Sequence, residues 1–172
     1  MFFKQLRSLT LQKNITLILK SRVKNFKSSK VKTMGVIFDY EAYHDYDFFR
    51  ALVNDFGLGY NNIQFISMIG MEKDKPNSWD AFFSMESFDW LGRPKSAEID
   101  EFTQKSFDVL ISYYKRNKLE LNLITARSKA NFKIGLSNDD PRLHDFTLDI
   151  EPKDIDIFKI ELTKYLTQLN RL

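Results

Sequence analysis

The chain has 172 residues, 43% apolar, 15% aromatic and 28% charged, with a formal net charge of +3 and no cysteine. That length fits one domain able to bury its own core. The absence of Cys excludes disulfides, thiol catalysis and sulfur-ligated zinc, and it suits a reducing, cytoplasmic setting.

The charge is unevenly placed. Residues 1–33 hold Lys4, Arg7, Lys13, Lys20, Arg22, Lys24, Lys27, Lys30 and Lys32, with no Asp or Glu. The remaining 17 cations face all 23 acids. A basic N-terminal arm (1–33) followed by a mildly acidic α/β domain (34–172) is the expected organisation. The longest apolar runs, such as ITLIL, fall far short of the roughly 20 residues a membrane-spanning helix needs. No signal-peptide core is present. The cationic, acid-free start has something of an organelle transit peptide, but its apolar residues lead straight into the domain.

In chain order, apolar residues at Phe2, Leu6, Leu9, Leu11, Ile15, Ile18, Leu19, Val23 and Phe26 predict one or two amphipathic helices. SSKVKT then reads as a linker. MGVIFDY (34–40) predicts a buried strand. DYDFFRALVNDFGLG predicts a helix capped by Asp45 or Asp47 and stopped by Gly57 and Gly59. NIQFISMIG (62–70) is a second buried strand, MEKDKPNSW a loop, and DAFFSMESFDWLG holds a short strand. SAEIDEFTQKS (96–106) opens like a capping box on Ser96. FDVLISYYK (107–115) is a further strand. Leu119, Leu123, Ala126 and Ala130 then fit one helix face. NFKIGLS (131–137) and FTLDIEP (146–152) are the last strands, and 153–170 is a strong amphipathic helix. Strands apolar on both faces alternate with helices. The expected fold is therefore a Rossmann-like or flavodoxin-like three-layer domain with a mainly parallel sheet.

Such a sheet binds ligands beyond the carboxyl ends of its strands. Asp39, Glu41, Asp45 and Asp47 follow the first strand. The FDYE stretch resembles, faintly, the paired acids of haloacid-dehalogenase-type hydrolases, but its second acid is Glu41 rather than Asp. The plainer reading makes Asp39 a strand end and Asp45 or Asp47 a helix cap. GLGYNN follows a helix and lacks the partners of a phosphate-binding loop. His44 and His144 stand 100 residues apart and predict no metal site. Ser128 and Ser137 lack the glycines of a nucleophile elbow. No catalytic residue, cofactor or metal is expected. The FSMESFDW aromatics read as core. Arg127, Lys129 and Lys133 either extend a basic face towards the arm or suit a helix C-terminus.

The arm is the informative feature. A solvated helix normally mixes signs, because Glu–Lys pairs support it. Thirty-three residues without an acid instead predict a polyanion partner. The nine cations of the arm are the expected RNA-binding residues.

MGVIFDY, FDVLISYYKRNKLELNLITARSKANFKIG and FKIELTKYLTQLN together resemble a Bacteroidota protein family without an assigned activity, over most of residues 34–170. The general kind is similar to an extra large-subunit protein of flavobacterial ribosomes. The resemblance implies no catalytic residue. The expected function is a non-catalytic, ribosome-associated RNA-binding protein, contacting rRNA of the large subunit and possible ribosomal-protein neighbours. The alternatives are a small-molecule phosphohydrolase or ligand-binding domain using Asp39, and a peripheral protein of anionic membranes.

Overall fold

The strand segments MGVIFD, IQFISM and VLISY carry apolar residues at successive positions, so both of their faces must be covered. A computed structural model supplies that cover; it describes residues 2–24, 30–136 and 140–172, with the backbone alone for residues 2–4. Its elements are α1 (Phe2–Ser21), β1 (Met34–Asp39), α2 (Tyr46–Asp55), β2 (Ile63–Met68), β3 (Ala81–Phe83), α3 (Ala97–Gln104), β4 (Val109–Tyr113), α4 (Leu119–Arg127), β5 (Phe132–Gly135), β6 (Phe146–Thr147) and α5 (Ile155–Gln168). Among the described residues, six strands form one sheet in the order β3-β2-β1-β4-β5-β6. All five pairings are parallel. This is the Rossmann order.

Two cores sandwich the sheet. On one face, Leu11, Ile15 and Leu19 of α1 join Ile99 and Phe102 of α3 and Leu121, Leu123 and Ile124 of α4. On the other, Phe49, Leu52 and Val53 of α2 join Phe158, Leu162 and Leu166 of α5. Phe38 is the hub of the second core. Its ring lies 5.2 Å from those of Tyr46 and Phe49, and 6.0 Å from that of Tyr113. Gly35 is needed in β1 because a methyl there would meet the Phe107 ring at 2.8 Å.

Local signals explain the helix ends. Asp45 caps α2 by accepting from the Phe48 N–H at 3.0 Å. Gly57 follows that helix with φ +72°, the left-handed conformation that stops it. Ser96 caps α3 by accepting from the Ile99 N–H at 3.4 Å. The expected capping box is only half present, because Ile99 occupies the position where a Glu or Gln would reach back.

Four expectations change. The basic segment does not stand apart: α1 shares a core with β1 and α4, so the boundary at residue 33 falls inside one packed body. Residues 25–29, which hold Phe26 of the expected helical pattern and the first two residues of the expected linker, lie outside the described residues. Residues beyond them are pinned, with the Thr33 N–H and hydroxyl both 3.0 Å from Asp108 Oδ2. α4 is buried all round from Leu121 to Ala126, because α1 lies over the face that would otherwise meet water, and Ala130 falls beyond its end. Finally, FTLDIEP pairs only through Phe146 and Thr147. Its partner β5 ends at Gly135, so the ladder has nothing further to hold.

Candidate functional site

α1 is a twenty-residue helix with no acid in its sequence, and it has two apolar stripes. Leu11, Ile15 and Leu19 face inward and are 1%, 6% and 5% exposed. Leu6, Leu9 and Leu17 are exposed, and so are Lys13 and Lys20. Positions 6, 9, 13, 17 and 20 follow the three-and-four spacing of one helix face. The outer stripe therefore sets two lysines among three leucines. Lys13 and Lys20 have no ion pair among the described residues.

The other predicted cations have different fates. Arg7 donates to the Met85 carbonyl. Arg22 turns inward, with Nη2 2.5 Å from Asp145 Oδ2 and Nη1 3.0 Å from the Arg142 carbonyl oxygen. Lys24 remains exposed, 3.9 Å from the same carboxylate. Lys30 donates to the Leu172 carbonyl, and Lys32 is exposed. The Lys4 side chain and Lys27 lie outside the described residues.

The basic face continues past the helix. Arg22, Val23, Ser128, Lys129, Ala130 and Asn131 line one cleft of about 250 Å³ at the amino end of the sheet. Exposed Lys129 thus stands beside the end of α1, as an extension of the basic face requires. Its two sequence neighbours do not join it. Arg127 pairs with Asp100 at 3.6 Å. Lys133 is 1% exposed and donates to the carbonyls of Thr125 at 2.7 Å and Ala126 at 3.3 Å, closing the C-terminus of α4.

Burial lowers the Lys133 pKa to about 7, and nearby Arg22 lowers it too, while Asp145 opposes them. The sign of the linkage is fixed by that direction. The unfolded chain titrates near 10.5, so between about pH 7 and pH 10 it binds more protons than the folded one, and stability rises with pH. The slope approaches about 1.4 kcal/mol per pH unit at most. Tyr43 and Tyr46 act oppositely above pH 10, since burial raises each to about 12 in the fold. Urea unfolding followed from pH 7 to pH 9.5 is expected to show increasing stability. Lys133→Met should flatten that rise, and a flat wild-type profile would remove a buried cation from the account.

A second constellation sits at the opposite end of the sheet. Asp39, the last residue of β1, is 1% exposed. Its Oδ1 lies 2.9 Å from Lys118 Nζ, at the start of α4. Glu41 Oε2 is 3.5 Å from the same ammonium. Asp39 is thus a strand end, as the plainer reading had it, but it is also the buried half of a partly buried ion pair across the β1–β4 divide. Asp45 is a cap, and Asp47 pairs with Arg50 at 3.0 Å. The sequence reading missed Lys118. Its only sequence signal is a lysine just after a buried strand, 79 positions from its partner. His44 is exposed, with Nδ1 2.7 Å from the Tyr40 carbonyl oxygen, and His144 is buried. Among the described residues, no group of three His, Asp or Glu side chains could hold a metal ion. Ser137 lies outside them, and Ser128 turns its hydroxyl to the Ala130 N–H at 3.2 Å. No helix of the described chain is long and apolar enough to cross a membrane.

Residues 7–169 match the family of unknown function DUF6913. The chain belongs to that family. The match begins inside α1 and runs through α5, so DUF6913 includes the basic helix as well as the sheet domain. No curated protein and no solved structure matches the chain.

Proposed function

We propose that this DUF6913 protein is a non-catalytic docking protein that binds a phosphate-rich polyanion, ribosomal RNA of the large subunit, through the outer face of α1. The supporting observation is the lysine arrangement of that face: Lys13 and Lys20 are exposed, without ion pairs among the described residues, and exposed Lys129 lines the cleft at the end of the helix. Lys13 and Lys20 are two turns apart, about 10 Å along the axis. A helix face without acids repels itself until an anion completes it. The cytoplasmic setting, the Bacteroidota origin and the ribosomal neighbours suggested by the family resemblance belong to this proposal.

The helix rests on its own domain, so it presents one face to the polyanion. Three or four phosphate contacts are what such a face can make, and log K should fall with log salt at a slope of about −3 to −4. The full-length Lys13→Glu/Lys20→Glu protein is expected to leave the ribosomal fractions of a sucrose gradient at about 100 mM salt and to lose about two units of that slope. Both positions are exposed, so folding should be untouched. Co-sedimentation equal to that of the wild type would sink the reading.

The exposed Leu6, Leu9 and Leu17 favour a second reading, since leucines between lysines suit the headgroup region of an anionic bilayer. Flotation with phosphatidylglycerol vesicles separates the two. If the wild type floats and Leu9→Ser/Leu17→Ser does not, the membrane reading replaces the ribosomal one.

A further inference from the structure

In FSMESFDW (83–90) two of the aromatics are core, as expected, and one is not. Phe83 and Phe88 are 0% and 2% exposed, with their rings 6.0 Å apart. Trp90 is 64% exposed and makes no hydrogen bond or ring contact among the described residues. Folding usually covers most of a tryptophan. Here the backbone holds it in the open.

The Gly92 N–H donates to the Asp89 carbonyl at 3.0 Å, closing a turn with Trp90 and Leu91 at its centre. Asp89 Oδ1 accepts from the N–H groups of Leu91 at 2.9 Å and Arg93 at 2.8 Å. The Asp89 N–H donates to the Arg93 carbonyl at 2.9 Å. An aspartate that accepts from the backbone two residues on locks a turn locally. The locked turn is also fastened to α1. Asn14 donates to the Leu91 carbonyl, and Arg7 donates to the Met85 carbonyl at the other end of the loop. Gly92 lies so close to the helix that a methyl group there would meet the Leu11 side chain at 2.5 Å. The backbone under the ring is therefore ordered before any partner arrives, which removes one of the costs of binding.

The surroundings select the partner. Lys13 adjoins Asn14, is exposed and has no ion pair among the described residues. On the loop itself, Arg93 is held by Asp89 at 2.7 Å, and exposed Lys95 offsets exposed Glu86. The excess charge where this turn meets the helix is thus positive. An uncovered aromatic face next to a cation suits a nucleotide, whose base stacks while its phosphate is neutralised. A base inside a duplex is already stacked on both sides and does not reach such a ring.

We propose that Trp90 stacks on an unpaired base of the RNA held by the lysines of α1, which rests on the RNA reading of that face. The bound segment then includes a nucleotide outside regular duplex.

The test is a fluorescence titration of the full-length Trp79→Phe protein, whose remaining tryptophan is Trp90. The probes are a single-stranded RNA of about twelve nucleotides, its duplex form, and phosphatidylglycerol vesicles. The single strand is expected to quench the emission, and the duplex to bind without quenching. Trp90→Ala should weaken the single strand about tenfold and the duplex less than about twofold, and Trp90→Phe should restore most of the loss. The dependence of log K on log salt should not change, because no phosphate contact is removed. Lys13→Glu/Lys20→Glu should weaken both RNA forms. If Trp90→Ala binds the single strand within about twofold of its parent, the stacking role falls; the polyanion reading survives that result wherever the charge reversal still weakens both forms. Binding of neither RNA at about 100 mM salt removes both. Quenching by the vesicles and by neither RNA also overturns the proposal and assigns the ring to a bilayer.

Discussion

Removing residues 1–24 should abolish the folded state rather than merely detach a tail. Leu11, Ile15 and Leu19 are buried in the same core as β1, α3 and α4. Burying each such side chain contributes about 1.5–3 kcal/mol. Their loss, together with exposure of the α4 residues beneath them, removes on the order of 5–10 kcal/mol, and a domain commands roughly 5–15 kcal/mol in all. The truncated protein is expected to lose its cooperative thermal transition and to bind a hydrophobic dye at 25 °C. A truncated protein that melts cooperatively within about 5 °C of the full chain would show that α1 is dispensable to the core. The same physics rules out truncation as a test of polyanion binding, since it destroys the fold with the interface. Charge reversal at Lys13 and Lys20 changes only the exposed face.

Asp145→Ala is the second large effect. The Asp145 side chain is 2% exposed and serves two groups: Arg22 at 2.5 Å and the backbone N–H of Lys133 at 2.9 Å. Removing it leaves the Arg22 guanidinium, whose side chain is 11% exposed, without its carboxylate, and leaves a buried N–H without an acceptor. Breaking one side of a buried pair costs about 3–5 kcal/mol. In a chain of this length that lowers the melting temperature by about 6–20 °C. Replacing both partners, as Arg22→Met/Asp145→Leu, should recover part of the loss because no lone charge remains. If Asp145→Ala melts within 2 °C of the wild type, the pair does not hold the end of α1 to the sheet.

The sheet was legible because burial on both faces writes itself into consecutive positions. Met34–Asp39 and Val109–Tyr113 are buried at every residue, and both were readable as apolar runs. Asp45, Ser96 and Gly57 were readable because each solves a local backbone problem within a few residues. What failed to show was anything decided by distant partners. α1 reads as a free basic helix because its inward leucines alternate with outward ones, and only α4 distinguishes them. Asp39 announced itself at the strand end, but Lys118 lies 79 positions away. Lys133 and Lys129 look equivalent in ARSKANFKIG. The pleat of β5 sends one under α4, and the turn before it leaves the other in water.

Asp145 also completes the margin of the sheet. β5 pairs with β6 over only two of its residues, Ile134 and Gly135. Beside that short pairing, Asp145 takes the Lys133 N–H on its carboxylate and gives its own N–H to the Lys133 carbonyl at 2.8 Å. The contact between β5 and β6 thus runs one residue further than the strand pairing itself. The edge strand on this side is β6, only two residues long, and so short an edge offers little to the lateral stacking of sheets.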